Sequence, residues 1–255
     1  MRQLNLVLVI LLLAGCATQS DGDGSGAGQD DSSHARESAK IHTELAGMYY
    51  ERSKYGVALE ELATALKKDS SYAPAYSVRG LVRMALLEDE QAETDFKRSL
   101  DLDDSSSDAH NNYGWFLCQR GREQESVKQF MAAVKNPLYA TPEKAFLNAG
   151  LCSKMSGNLH DAEAYLRRAL VLQPKMPEAL LGMAELNYAK ADFAGAKSYF
   201  SRFVQGAPEL TAANLLLAIR IEHKLGDRNS EASYRLQLSK RFPESREAQL
   251  MLSGE

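Results

Sequence analysis

Small residues recur along this chain at an almost constant interval. Alanine or glycine occupies one register position in six successive segments: Ala46, Gly80, Gly114, Gly150, Ala184 and Ala218. By subtraction, the spacings are 34, 34, 36, 34 and 34 residues. A period of this length indicates stacked copies of one supersecondary unit, because no single copy can bury its own apolar face.

Two further columns keep the same register. A second small residue follows twelve positions after the first, at Ala58, Ala92, Ser126, Ala162, Ala196 and Ser230. A large residue comes four positions later, at Leu62, Phe96, Phe130, Leu166, Phe200 and Tyr234. Two helices cross closely only where side chains are small, and the large residue fills the hollow beside the crossing. Each unit is therefore predicted to be a helix pair.

This pattern is that of the tetratricopeptide repeat. It predicts an all-α superhelical solenoid of six repeats over residues 39–255, starting near 39, 73, 107, 143, 177 and 211. Residues 246–252 are predicted to form a short C-terminal capping helix, which a repeat array needs to cover its last face. The sixth unit matches least well, and residues 226–230 are predicted to be a long turn.

The N-terminus has the pattern of an export signal. Arg2 is the only charge before an apolar run over 4–13, which is about half the roughly 20 residues that span a bilayer. The run ends in Leu13-Ala14-Gly15-Cys16, which resembles the lipobox of bacterial lipoproteins. The resemblance implies that residues 1–15 are a signal peptide and that Cys16 carries a diacylglyceryl group and an N-acyl chain. Ala17, in place of the aspartate that usually retains such proteins in the inner membrane, favours the periplasmic face of the outer membrane.

Residues 16–38 are predicted to be the lipidated cysteine and a flexible tether. The segment is rich in Gly, Ser, Asp and Gln and has almost no apolar side chain. Such a composition buries too little surface to offset the entropy that ordering costs.

A partner-binding surface is predicted on the concave side. In this repeat class the first helix of each unit lines that side, and residues four apart stack on one stripe. The candidate contact residues are Asn111, Trp115, Leu147, Leu151, Leu181, Tyr188, Leu215 and Ile219. An exposed apolar patch around a lone Trp is typical of a protein-binding site. The alternative is that individual members pack against neighbouring helices or against the proline-containing loop at 136–142.

Two cysteines remain besides Cys16. Cys118 and Cys152 fall on the first helices of adjacent units, and an exported compartment is oxidising. A Cys118–Cys152 disulfide is therefore predicted to clamp units three and four. Two buried free thiols are the alternative.

No catalytic or cofactor motif is found. The five histidines have no metal-ligand spacing, so no metal site is predicted, and no nucleophile elbow or phosphate loop occurs. The formal net charge is −4, with acids and bases interspersed, which argues against a nucleic-acid partner. We expect a binding protein rather than an enzyme, with no small-molecule substrate and no cofactor beyond the covalent lipid.

Three segments are similar to a known family, the type IV pilus biogenesis and stability lipoproteins called PilF/PilW. They are Asn111-Asn112-Tyr113-Gly114-Trp115-Phe116-Leu117-Cys118, Leu147-Asn148-Ala149-Gly150-Leu151-Cys152 and Asp161-Ala162-Glu163-Ala164-Tyr165-Leu166. The resemblance implies a pilotin-like scaffold that promotes outer-membrane localisation and multimerisation of the pilus secretin. The implied partner is the secretin or another pilus assembly protein. An adaptor of outer-membrane protein assembly or of a cell-wall enzyme is the alternative.

Overall fold

The computed structural model describes residues 25–206 and 209–253, and in these ranges all regular structure is α-helical. Six helix pairs and one final helix follow in chain order: α1 Ser25–Glu51 and α2 Tyr55–Lys68, α3 Ala73–Ala85 and α4 Asp89–Leu102, α5 Ser107–Gln119 and α6 Glu123–Ala133, α7 Pro142–Met155 and α8 Leu159–Leu172, α9 Pro177–Ala189 and α10 Phe193–Gly206, α11 Ala212–Leu225 and α12 Arg228–Arg241, then α13 Arg246–Ser253. The predicted solenoid of six repeats is confirmed.

The small columns allow the two helices of a unit to approach closely. In unit 3, a Cβ atom added to Gly114 would lie 2.7 Å from Cε1 of the Phe130 ring. In unit 2, a Cβ atom on Gly80 would lie 2.8 Å from the same atom of Phe96. Both rings are fully buried. The missing Cβ atom therefore makes the space that each ring fills.

The first helices form the inner layer of the solenoid. From α1 to α9, the first helices of consecutive units lie against each other, whereas second helices pack mainly against the first helices on either side. α13 lies against α11 and α12, where Ala248 and Met251 pack with Leu215 and Leu238. The predicted capping helix is thus present at the end of the array.

Part of the segment that was predicted to be a flexible tether is helical, because α1 begins at Ser25 and not near residue 39. Arg36 forms an ion pair with Asp69 (Nη1–Oδ2 3.6 Å) and lies over the Tyr72 ring. Both partners lie in the link between α2 and α3, so the composition of the segment itself gives no sign of them. The predicted boundary between tether and helix at residue 38 is therefore wrong. Residues 1–24, which include Cys16 and the predicted signal peptide, lie outside the described residues.

In the described part of the chain, no helix is long and apolar enough to cross a bilayer.

The long turn predicted in unit 6 is also wrong. Gly226 ends α11 with a left-handed backbone (φ 74°), and α12 starts two residues later at Arg228. The Asp227 side chain accepts a hydrogen bond from the backbone N–H of Ser230 (3.1 Å), which satisfies one free donor of the new helix. Asp227 therefore acts here as a cap, and the turn is as short as in the other units.

Unit 2 carries a leucine at the left-handed turn position. Leu87 has φ 63° and is 79% exposed. A left-handed backbone costs a residue with a Cβ atom about 1–2 kcal/mol, whereas glycine loses about 0.5–1 kcal/mol more entropy on folding. We expect Leu87→Gly to raise the free energy of unfolding by about 0.5–1 kcal/mol in denaturant titrations. An unchanged or lower free energy of unfolding would contradict this prediction. As a control, Leu86→Gly should destabilise the fold, because Leu86 has a negative φ (−85°).

Charged groups tie unit 2 to unit 3. Glu93 of α4 accepts hydrogen bonds from the Tyr113 hydroxyl and from Arg122 Nη1, each 2.9 Å long, and pairs with Lys97. Burial alone would raise the pKa of Glu93, but these hydrogen bonds outweigh it and lower the pKa to about 2. Burial and the nearby carboxylate raise the pKa of Tyr113 to about 12.

The lowered pKa of Glu93 predicts an acid-dependent part of the stability. A carboxyl group with a depressed folded-state pKa stabilises the fold above its ordinary pKa of 4.5, and this stabilisation is lost as pH falls towards 2. We expect Glu93→Gln to lower the free energy of unfolding at neutral pH and to flatten its decline over that interval. Glu60→Gln, on an exposed face of α2, is the matched control. Parallel pH profiles for wild type and Glu93→Gln would refute the assignment.

Candidate functional site: the surface of the first helices

The predicted contact residues all lie on first helices α5, α7, α9 and α11. The structure leaves five of them partly exposed: Asn111, Trp115, Leu151, Leu181 and Tyr188. These five span units 3 to 5 on helices that adjoin each other. They are the members of the predicted set that a partner can reach.

The other three predicted contact residues are buried, which contradicts their prediction as an exposed binding surface. Leu147 is 7% exposed, Leu215 0% and Ile219 4%. Leu215 and Ile219 are covered by α13, and Leu147 packs in the core cluster of units 4 and 5. The spacing of four along a first helix does not predict this burial, because burial also depends on the helices of the next unit. Leu147 and Leu215 stabilise the array and are unavailable to a partner, whereas a small edge of Ile219 lines a cavity between α11 and α13.

Trp115 lies next to a covalent link between units 3 and 4. Cys118 and Cys152 form a disulfide with their Cα atoms 5.7 Å apart, within the usual range. Trp115 packs against the cluster that contains both cysteines, Phe130 and Ala149. The bridge fixes α5 relative to α7 directly beneath the indole.

A hydrogen bond crosses the same two helices. Asn148 Nδ2 donates to Asn111 Oδ1 over 3.0 Å. Asn111 therefore sets the register of α5 against α7 while its side chain remains partly exposed at the surface. The units around Trp115 are held by both a covalent and a polar contact.

The surface changes character between units 5 and 6. α11 approaches α9 less closely than earlier first helices approach each other, and a cavity of about 390 Å³ opens between them. Glu185, Tyr188, Leu216, Arg220 and Arg246 are among its lining residues. Glu185 also forms an ion pair with Lys154 of unit 4.

Of these cavity residues, the sequence pattern predicts Tyr188 but not the others. Leu216 and Arg220 are four apart on α11, one position after the predicted Leu215 and Ile219. The residues of α11 that line this cavity therefore lie one position after the two that the sequence predicts. The spacing of four was visible in the sequence, but which of two adjacent stripes faces the groove is fixed only by the packing of α13.

This surface combines apolar side chains with charged side chains that are paired. Within the described ranges, no group of three or more His, Cys, Asp or Glu residues could hold a metal ion. Glu163, whose pKa is lowered, pairs with Lys190 of the following unit and with Arg167 of its own helix. Apolar side chains rimmed by paired charges can bind a peptide or helix of another protein.

Known proteins resemble this chain over most of its length. A family model described as tetratricopeptide repeat matches residues 156–211. The type IV pilus assembly protein PilF of Pseudomonas aeruginosa is 31% identical over 213 residues, which cover 84% of each chain. The chain belongs to the PilF/PilW family. This assignment confirms the resemblance seen in the sequence.

Two solved structures of PilF/PilW proteins share the fold. PilW, described as a widely conserved type IV pilus biogenesis factor, is 35% identical and superposes with a TM-score of 0.78 over 84% of this chain and 98% of that chain. Pseudomonas aeruginosa PilF is 30% identical with the same TM-score of 0.78, over 87% of this chain and 100% of that chain. The PilF/PilW fold therefore extends through all six units.

Proposed function

We propose that this PilF/PilW protein is an outer-membrane lipoprotein scaffold that acts in type IV pilus biogenesis. Similarity to the type IV pilus assembly protein PilF over 84% of both chains is the observation that carries this proposal. In this proposal the protein has no catalytic role, and it acts by holding another pilus protein on its first-helix surface. The partner is the pilus secretin or another assembly protein.

The proposed mechanism is escort of the secretin subunits. Lipid on Cys16 would hold the protein at the periplasmic face of the outer membrane, because several acyl chains on one residue bind a bilayer essentially permanently. The surface formed by Trp115, Leu151, Leu181 and Tyr188 would hold a secretin segment until the subunits multimerise. The clamp between units 3 and 4 supports this role, since a preorganised surface loses less entropy on binding.

The deciding experiment compares three strains: wild type, a deletion strain, and one with Cys16→Ala. We expect secretin multimers to disappear from the outer membrane of the deletion strain and to be mislocalised or reduced with Cys16→Ala. Other outer-membrane proteins should stay normal in both. Normal outer-membrane multimers in the deletion strain would refute the escort mechanism. General outer-membrane defects or altered cell shape would favour the two adaptor roles.

A surface variant tests the binding face separately from the anchor. Tyr188→Ala removes a half-buried ring on the groove, and Val171→Ala trims a side chain that is exposed on the second helix α8. We expect Tyr188→Ala to reduce co-purification of the secretin while Val171→Ala leaves it unchanged. Circular dichroism melting of both variants separates lost binding from lost folding. Equal co-purification would exclude this part of the groove.

A further inference from the structure

A cavity of about 240 Å³ lies where α9, α11, α12 and α13 meet. Leu216, Ile219 and Met251 form its apolar floor, and Tyr188 lines one side.

The rim of this cavity is basic. Arg220, Lys224 and Arg235 line it, and a neighbouring cavity that shares Arg235 and Glu231 adds Arg228. With histidine neutral, Glu231 is the one acid that lines these two cavities. The groove that continues between α9 and α11 adds Arg246, Glu185 and Glu247, so five cations and three acids line the whole site, in a chain whose formal net charge is −4. The local excess of positive charge therefore runs against the charge of the whole molecule.

The acid that lines the cavity and its neighbour is already paired within its own unit. Glu231 accepts a hydrogen bond from Arg235 Nη1 (3.1 Å) and lies 3.2 Å from His223 Nδ1. The equivalent acid of unit 4, Glu163, is instead bonded by Lys190 of the following unit. In unit 6, α13 contributes Met251 to the lining of the cavity.

The cavity is also held in shape. Arg235 Nη2 donates to the backbone oxygen of Met251 over 3.1 Å, which fixes the end of α13 against α12. One guanidinium thus pairs with Glu231 and anchors the capping helix. The wall of the cavity is preformed, so binding a ligand requires little further ordering of this protein.

We propose that this cavity binds an acidic, extended segment of a partner protein. Its carboxylates would contact Lys224 and Arg228, and one apolar side chain would contact Tyr188 and Leu216. Charge complementarity selects the acidic class. The apolar floor, and the groove that continues between α9 and α11, favour a polypeptide over a lipid headgroup. The inference rests on the proposed function, because it names the chemistry of the segment that the first-helix surface would hold.

The test is fluorescence polarisation with the purified full chain in detergent. The probe is a fluorescein-labelled peptide, Glu-Leu-Glu-Asp-Phe-Glu with blocked ends, and the control peptide has Lys at each acidic position. The test variant combines Lys224→Glu and Arg228→Glu. Lys224 is in the last turn of α11 and Arg228 begins α12, so their opposite effects on the helix dipoles roughly offset each other. Lys240→Glu, in the last turn of α12, is the matched control.

We expect wild type and Lys240→Glu to bind the acidic peptide and not the basic one. The double variant should bind at least about tenfold more weakly, and wild-type binding should weaken as salt is added. Equal binding of the acidic peptide by the double variant, or no preference over the basic peptide, would overturn the proposal. The proposal would also be overturned if both proteins bound the peptide equally and only the wild type bound phosphatidylglycerol vesicles.

This result is separable from that of the secretin experiment. The peptide measurement uses purified protein, so its failure would remove the acidic-segment proposal and leave the escort mechanism standing. Normal secretin multimers in the deletion strain would remove the escort mechanism even if the acidic peptide binds as expected.

Discussion

Replacing Cys118 and Cys152 together with alanine is expected to lower the free energy of unfolding by about 3–4 kcal/mol. The bridge joins residues 34 apart, and a cross-link of that span removes much of the conformational freedom of the unfolded chain. Both cysteines are buried, so packing limits any rearrangement that could compensate. Guanidinium titrations of the wild type and the double variant, both oxidised, measure the difference.

Reduction provides the control for this prediction. The wild type in strong reductant should unfold like the double alanine variant, whereas the variant itself should not respond to reductant. In a Cys16→Ala background, every reactive thiol comes from Cys118 or Cys152. Two reactive thiols in the unreduced, denatured protein would mean that the bridge is absent in solution.

Truncating the large side chain of unit 3 should cost a similar amount. Phe130 is fully buried on α6 and fills the space left by Gly114. Phe130→Ala removes that packing and leaves a cavity, and such changes typically destabilise by about 3–5 kcal/mol. We expect a loss in this range in the same titrations, because rigid helices on both sides prevent the cavity from collapsing.

An exposed leucine serves as the control for Phe130. Leu138, in the loop between α6 and α7, is 88% exposed, so Leu138→Ala should change stability by less than about 0.5 kcal/mol. Phe130 also belongs to the cluster that contains the disulfide, so its effect should not add simply to that of the cysteine variant. A loss below about 1 kcal/mol for Phe130→Ala would show that the site repacks.

The sequence predicted the repeating parts of this fold because they obey a local rule. The small and large columns fixed the helix pairs, and the same register placed Cys118 and Cys152 on neighbouring first helices. Each of these features depends on contacts that recur in every unit. Sequence periodicity reports such contacts directly.

Apart from the burial of Leu147 in the core of units 4 and 5, the features that the sequence did not predict lie near the ends of the array. The early start of α1 is accompanied by contacts with the link that follows α2, such as that of Arg36 with Asp69. Leu215 and Ile219 are buried because α13 covers them, which no earlier unit requires. Period-based reasoning fails at such positions, because an end contact occurs once and leaves no column in the sequence.

The capping helix also covers an apolar face that would otherwise be open to a second copy of this protein. Ile41, Leu45 and Met48 of α1 occupy the register positions of Ala145, Ala149 and Cys152, which in unit 4 are buried against unit 3. α1 thus presents one half of a stacking interface, and the face beneath α13 (Leu215, Leu216, Ile219 and Leu238) is the other half. Without α13, the tail of one molecule would fit the head of the next. A head-to-tail contact of this kind does not close on itself, so the expected product is a growing filament.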